Sequence, residues 1–144
     1  MSAPDVSLIQ ANVVTHVTAA VGASNWTIYD GAPRGYRPPQ INIWWTGVRL
    51  DPPMEVQEVP YLWTIRVTAE SAADPERQDI VMRVWEAIFN EYAKSDAICA
   101  GGNAQLVFPS AVDPIEVEND GMLYVGIDIT LTVIVKKARV FELT

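Results

Sequence analysis

The sequence predicts a single α+β domain, in which a mainly antiparallel sheet of about five or six strands carries two main helices on one face. Three observations lead to this fold class. Apolar and polar side chains alternate from Tyr61 to Glu70, with the period of two that a half-buried strand requires. The period becomes helical after Pro75, and it returns to two in a long apolar run that ends near Lys136.

The bulk composition is typical of a globular protein and limits the classes of function. The 144 residues are 49% hydrophobic and 19% charged, which allows one sizeable core. A net charge of −8 makes the chain a poor candidate for gripping duplex phosphates, and it fits either solubility or a functional acidic surface. Cys99 is the single cysteine, so no disulfide framework can form. Since neither a secretory signal nor a membrane span is evident, we expect a soluble, intracellular protein.

The first third of the chain contains a helix, two strands and the loop between them. Residues 4–21 are predicted to be helical, because apolar residues recur at helical spacing and Gly22 can end the helix. A short strand is expected over 25–29, and the prolines and glycines of 30–40 predict an irregular loop. The next strand, Gln40–Val48, should direct its side chains to alternate faces, with Ile41, Ile43 and Trp45 on one side and Asn42, Trp44 and Thr46 on the other.

The middle of the chain is predicted to hold an extended loop, the central strand and the second helix. Residues 49–60 are expected to form an extended loop that orders on a partner, because long loops in compact domains are usually functional. The central strand covers 61–70. Asp74 and Pro75 suit the start of a helix. One apolar stripe is predicted along it, with Glu91 among the polar residues opposite: Ile80, Val81, Val84, Trp85, Ile88, Phe89 and Tyr92.

The last third is predicted to be mostly strand. After a break over 95–103, a short strand should end at Pro109, a turn should follow at Asp113-Pro114, and another strand should cover 115–118. Asp120-Gly121 indicates a tight hairpin turn before the longest strand, which runs to Val135. The polar face of the sheet carries two opposite charges that can pair across strands, Arg66 and Asp128.

Residue types and spacing predict no catalytic, metal-binding or cofactor-binding site. His16 is the single histidine and is expected at the surface or the edge of the core. Cys99 lacks a neighbouring base, and Glu116 and Glu118 are typical of a solvated strand edge. We therefore expect a protein that is not an enzyme and that needs no cofactor.

The five tryptophans are divided between core and surface. Trp63 and Trp85 are predicted to be buried, while Trp26 is left open. Adjacent residues on a strand point to opposite faces, so one of Trp44 and Trp45 should leave the core. An exposed tryptophan beside loops rich in proline and arginine is typical of a protein–protein anchor, and a carbohydrate platform is the weaker alternative.

The order of elements carries a resemblance to a known family. A first helix precedes a strand that ends in Tyr29-Asp30-Gly31-Ala32-Pro33, and Pro38-Pro39-Gln40-Ile41-Asn42-Ile43 follows. The strand 63–71, a helix opened by Asp-Pro-Glu and a final strand ending at 132–135 complete the order. This pattern resembles the tail terminator (tail completion) proteins of long-tailed bacteriophages over nearly the whole chain. The resemblance rests on pattern and element order, without an invariant motif.

The resemblance implies a structural virion protein. Such a subunit assembles, usually as a hexameric ring, on the end of the finished tail tube, ends tube polymerisation and forms the tail side of the head–tail joint. Its partners would be further copies of itself, the tail tube protein and the head connector protein, while DNA passes through the ring without specific binding. It would be assembled in the host cytoplasm and lie in the virion at the head-proximal end of the tail. We expect the contacts between proteins to include Arg34, Arg37, Trp44, Arg49, Leu50 and Met54.

Two other classes of function remain open. A head-side connector or stopper ring protein has the same structural role but docks on the opposite partner. A small ligand-binding or enzymatic α+β domain needs a pocket between sheet and helices with convergent polar groups, which the apolar inward faces do not favour.

Overall fold

Five strands and two helices make up the described part of the chain. A computed structural model describes residues 6–22, 26–49, 58–71, 75–94 and 104–136. The elements are, in chain order, α1 (Val6–Val21), β1 (Thr27–Asp30), β2 (Gln40–Val48), β3 (Glu58–Ser71), α2 (Pro75–Glu91), β4 (Ala104–Asn119) and β5 (Met122–Lys136). They form one five-stranded sheet in the order β1-β2-β3-β5-β4. Within it β1 and β2 are parallel and the other pairs are antiparallel, which confirms the predicted α+β class.

Both helices lie on the same face of the sheet and enclose the core. α1 packs on β1 and β2, α2 packs on β3 and β5, and the two helices contact each other. Full burial of one aliphatic or aromatic side chain contributes roughly 1.5–3 kcal/mol before entropy is subtracted. Eight strand residues that alternation assigned to this face are fully buried: Ile41, Ile43, Trp63, Ile65, Val67, Ile129, Leu131 and Val133. Thr68 is also fully buried, although alternation assigned it to the opposite, polar face.

The helices bury narrower stripes than predicted. Ile9, Val13 and Val17 of α1 are fully buried at a spacing of one turn. In α2, Ile88 is buried but Phe89 is 54% exposed, so the predicted apolar stripe is wrong at Phe89. Ile88 faces the core, and Phe89 lies about 100° further round the helix, on its outer side.

β3 begins earlier than predicted. Glu58, Val59 and Pro60 belong to the strand, so the assignment of these three residues to the extended loop is wrong. The backbone N of Arg49 donates to the carbonyl oxygen of Pro60 at 3.0 Å, and this bond holds the chain beside β2 at its end. The rest of that predicted loop, residues 50–57, lies outside the described residues.

β4 is one continuous strand, where two short strands with a break at Pro109 and a turn at Asp113-Pro114 were predicted. Pro109 pairs with Leu131 and Pro114 with Ile127, and one irregularity lies between Pro109 and Ala111. β4 is at the edge of the sheet, where a residue without an N–H can face away from its neighbour without loss of a ladder hydrogen bond. The prediction failed because proline was taken to end a strand wherever it occurs.

The turn between β4 and β5 is the predicted hairpin. Asp120 has φ of 53° and Gly121 has φ of 78°. Both values lie in the left-handed region that a two-residue turn of this type requires. The break predicted over 95–103, with Cys99, lies outside the described residues. Neither described helix combines the length and the apolar character needed to cross a membrane.

Candidate functional site

A loop crosses the face of the sheet that the helices leave free. Residues 31–39 connect the parallel strands β1 and β2, so this crossing loop must run back along the strand direction before β2 begins. Tyr36 in the crossing loop reaches Arg66 of β3, which places the loop over the helix-free face. The peptide bond between Pro38 and Pro39 is cis.

Two buried amide side chains anchor the crossing loop. Gln40 Oε1 accepts from the backbone N of Arg37 at 2.6 Å, while its Nε2 donates to the carbonyl of Gly35 at 3.2 Å and to Asn42 Oδ1 at 2.7 Å. Asn42 Nδ2 donates to the carbonyl of Gly31 at 3.3 Å. Because Gln40 and Asn42 are almost completely buried, these bonds fix the backbone of the loop in one arrangement.

Arg66 ties the same loop to the middle of the sheet. Its Nε and Nη2 donate to the two carboxylate oxygens of Asp128 at 2.7 and 2.8 Å, which confirms the predicted pair. Nη1 donates to the hydroxyl of Tyr36 at 2.9 Å, and the guanidinium carbon lies 5.5 Å from the ring centroid of Trp44. The hydrogen bond to Asp128 raises the pKa of Arg66, although burial opposes it. All of these contacts are made within the chain, so the guanidinium of Arg66 is already fully engaged there.

The predicted interface residues fall into separate places. Arg34 and Arg37 lie together in the crossing loop and are exposed, whereas Arg49 is exposed beyond the other end of β2. Trp44 is half-buried beside Arg66. The two remaining residues, Leu50 and Met54, lie outside the described part of the chain.

Arg34 and Arg37 are cations for which the described part of the chain supplies no carboxylate partner. Within the described residues, neither guanidinium has a carboxylate at salt-bridge distance. The crossing loop is therefore held by Gln40, Asn42 and Tyr36, and its two arginines remain available for contact with another molecule.

The more exposed of the adjacent tryptophans is Trp45. It is 43% exposed and stacks on Tyr61 with ring centroids 6.2 Å apart. Strand alternation placed Trp45 correctly on the side of Ile43, but it could not show that the helices leave this position uncovered. Trp63, the cross-strand neighbour of Trp45, is fully buried as predicted, and Trp26 is half-buried against the core.

A cleft of about 810 Å³ lies between the crossing loop and the β4–β5 turn, and we call it the loop cleft. Buried Gln40 and Asn42 line it, together with Asn119 and Asp120 of the turn. Sequence reasoning missed this site because its walls are about 80 positions apart in the chain and meet only through the fold of the sheet. The remaining lining residues are Tyr29, Asp30 and residues 31–37.

The helices border a smaller cavity of about 260 Å³. Its lining is apolar except for Arg83. A binding site for a small molecule needs several convergent polar groups, and this cavity lacks them. The lining residues are Ala20, Val21, Trp26, Ile80, Arg83, Val84 and Ala87.

His16 and Glu91 connect the two helices. Nδ1 of His16 lies 2.7 Å from Oε2 of Glu91, and Nζ of Lys94 donates to Oε1 at 3.0 Å. An ionised carboxylate can only accept, so Nδ1 carries the proton in the first bond. The hydrogen bond from His16, followed by that from Lys94, lowers the pKa of Glu91. Glu91 is buried, and its predicted place on the solvent side of the helix is therefore wrong.

Within the described ranges, no three side chains of histidine, cysteine, aspartate or glutamate lie close enough to hold a metal ion. Glu116 and Glu118 are exposed on the edge strand, as expected. The fold and these surfaces define a two-layer α+β domain. The chain matches no protein-family model, and no curated protein matches it either.

Proposed function

We propose that this chain is a structural subunit that caps a bacteriophage tail tube. In this role it forms a hexameric ring on the tube end, stops tube polymerisation and makes the tail side of the head–tail joint. The resemblance of its element order to tail terminator proteins suggests the role, and two exposed aromatic surfaces on separate elements support it.

The first surface is the outer side of α2. Met82, Trp85 and Phe89 follow one another at helical spacing, and we call them the α2 stripe. Phe89 packs against Trp85 with ring centroids 5.5 Å apart, while Met82 is 48% exposed. Trp85, which was predicted to be buried, is half-buried and packs against the core between these two exposed residues. Exposed apolar side chains that continue along one helix face are characteristic of an interaction surface.

The second surface is the stacked pair Trp45 and Tyr61, at the end of the sheet where β2 finishes and β3 begins. Tryptophan and tyrosine are among the residue types most enriched at the centre of protein interfaces, and here the two rings stack on each other. The α2 stripe and this pair give the subunit two different surfaces. A ring requires that arrangement, because each copy must bind its neighbours through unlike faces.

The charge of the chain suits a channel for DNA. With a net charge of −8, an acidic ring repels phosphates and lets DNA pass without specific binding. The proposed partners are further copies of this chain, the tail tube protein and the head connector protein. The proposed role needs no bound cofactor, since it depends on complementary surfaces.

Electron microscopy of tubes grown with and without this protein tests the proposal. We expect tubes polymerised from the tube protein of the same genome to be shorter and to end in a ring when the chain is present. Phe89→Ser and Trp45→Ser should each reduce capping, whereas Leu106→Ser, which changes a residue of similar exposure in the edge strand β4, serves as the matched control. Tubes of unchanged length with bare ends, at saturating wild-type protein, would overturn the proposal.

A further inference from the structure

We infer that the loop cleft of one subunit binds the segment of residues 50–57 from a neighbouring copy of this chain. The inference rests on the proposed function, because it names the contact that joins successive subunits of the ring. Three features support it: the chemistry of the cleft, the composition of the segment, and the distance between them.

The cleft combines aromatic rings with unpaired positive charge. Tyr29 is 41% exposed at the cleft, and Tyr36 is held in place by its hydrogen bond from Arg66. Arg34 and Arg37 border the same cleft without a carboxylate partner among the described residues. Proline rings pack against aromatic side chains, and the guanidinium of arginine can donate two parallel hydrogen bonds to a carboxylate.

The cleft also has two carboxylates of its own, and they shape what it can bind. Asp30 Oδ1 already accepts a hydrogen bond from Gln10 Nε2 at 2.6 Å, and Asp120 lies in the β4–β5 turn opposite the crossing loop. Arg34 and Arg37 both lie in the crossing loop, so the positive charge of the cleft is concentrated there, beside Asp30 at the end of β1. A ligand with two acidic groups can pair with both arginines.

Residues 50–57 have that composition. Asp51 and Glu55 are acidic, and Pro52-Pro53 stand between them. A residue before proline is restricted to extended conformations, so this stretch favours the extended form that aromatic grooves recognise. The rest of the segment is mostly apolar and adds contact area without opposing charge: Leu50, Met54, Val56 and Gln57.

The segment cannot reach the cleft of its own subunit. It leaves from Arg49 and returns at Glu58, nine Cα-to-Cα steps later, so it extends at most about 16 Å from its base. The base lies beyond Val48, and the cleft lies at Gln40 at the other end of β2. From Gln40 to Val48 the strand rises through eight residue steps, which correspond to about 26 Å. The segment therefore fits only the cleft of another copy, which produces the head-to-tail contact of a ring.

A charge-swap experiment tests this contact. The cleft variant is Arg34→Glu with Arg37→Glu, and the loop variant is Asp51→Arg with Glu55→Arg. In a sample of either variant alone, the cleft and the segment carry charges of the same sign and repel each other. In an equimolar mixture, every cleft meets a segment of opposite charge. Sedimentation equilibrium measures the apparent dissociation constant of self-association for each sample.

We expect each variant alone to associate at least roughly tenfold more weakly than wild type, and the mixture to recover most of the loss. Raising the salt concentration should weaken wild-type association, because exposed charge pairs are screened. Glu116→Arg with Glu118→Arg changes the net charge as much as the loop variant does, at exposed positions of the edge strand β4 that do not line the cleft, and should leave association unchanged. Circular dichroism confirms that all variants fold.

Variants that associate like wild type, a mixture that stays dissociated, or a wild-type chain that remains monomeric would each overturn the inference. The tube-capping experiment separates this failure from failure of the proposed function. Wild-type protein that caps tubes while the cleft variant self-associates normally leaves the function standing and removes the contact. Recovery in the mixture without any capping of tubes leaves the contact standing and removes the function.

Discussion

The two faces of the sheet are built from different interactions. The helix-covered face is a continuous apolar core around Trp63, in which the fixed geometry comes from packing. The helix-free face carries the crossing loop on a framework of hydrogen bonds from Gln40, Asn42 and Arg66. Packing responds to the volume of a side chain, whereas a polar framework responds to the loss of a single donor or acceptor. The comparison shows that stability comes mainly from one face and that the other holds a loop in a defined position.

A change at the centre of the helix-covered face should have the largest effect. Trp63→Ala removes a fully buried ring and leaves Gln10 Oε1 without the indole N–H that donates to it at 2.6 Å. We expect a loss of about 3–5 kcal/mol in the free energy of unfolding, measured by denaturant titration. Trp45→Ala, at the cross-strand neighbour that is 43% exposed, is the matched control and should lose clearly less, about 1–2 kcal/mol. Equal losses for the two variants would contradict the described burial.

A change in the polar framework should be smaller and should act on the loop. Arg66→Met removes the bonds to Asp128 and Tyr36. The side chains of Arg66 and Asp128 are still 26% and 21% exposed, so solvent screens the pair. We therefore expect a loss of about 1–2 kcal/mol in the free energy of unfolding. Proteolytic cleavage within 31–39 should become faster, as followed by mass spectrometry. Arg34→Met, in the loop but outside the framework, is the control, and a loop as resistant in Arg66→Met as in this control would argue against the framework.

The contact between the helices should make stability depend on acid pH. The pKa of Glu91 is lowered from its ordinary value of 4.5, so its contribution is complete above that pH and is lost as the pH falls through the lowered pKa. Glu91→Gln should therefore cost about 1 kcal/mol at neutral pH and progressively less below pH 4.5. Unfolding titrations of both proteins from neutral to acid pH measure this difference. A constant difference at all pH values would show that the charge of Glu91 does not matter.

The smallest effect is expected one residue further along. The hydroxyl of Tyr92 is buried without a hydrogen-bond partner among the described residues, and burial raises its pKa. Tyr92→Phe removes a polar atom that receives no compensation, while its ring contact with His16 remains. Stability should stay within about 0.5 kcal/mol of wild type or increase slightly. A loss above about 1 kcal/mol in thermal or denaturant unfolding would reveal a partner for this hydroxyl.

The helix-covered face was largely predictable from the sequence, because alternation and helical spacing report directly which side chains are buried. The assignments of Ile43, Trp63 and Ile88 to the core are confirmed. Errors occurred where helical spacing alone does not determine burial. Phe89 lies just past the buried stripe, and Glu91 is buried because His16, 75 positions away in the chain, donates a hydrogen bond to it. Proline in β4 misled the prediction because the edge position of that strand depends on the order of the whole sheet.

The helix-free face was predictable only in part. The pair of Arg66 and Asp128 followed from two alternating strands that were expected to lie side by side, and it is confirmed. The loop cleft was not predicted, because it forms where the crossing loop passes near a hairpin turn from the other end of the chain. An irregular loop has no repeating pattern of apolar residues, so its sequence does not predict where in the fold it lies. Arg34 and Arg37 were proposed as interface candidates from the sequence, whereas only the structure shows that no carboxylate among the described residues pairs with them.

The most direct test of the central claim, that this chain acts by assembling with copies of itself, is its mass in solution. Light scattering across a wide range of protein concentration, with and without the ends of preformed tail tubes, measures it. The account predicts particles that reach six times the subunit mass of 15.9 kDa as the ring closes. A mass that stays at 15.9 kDa at every concentration, with tube ends present, would contradict it.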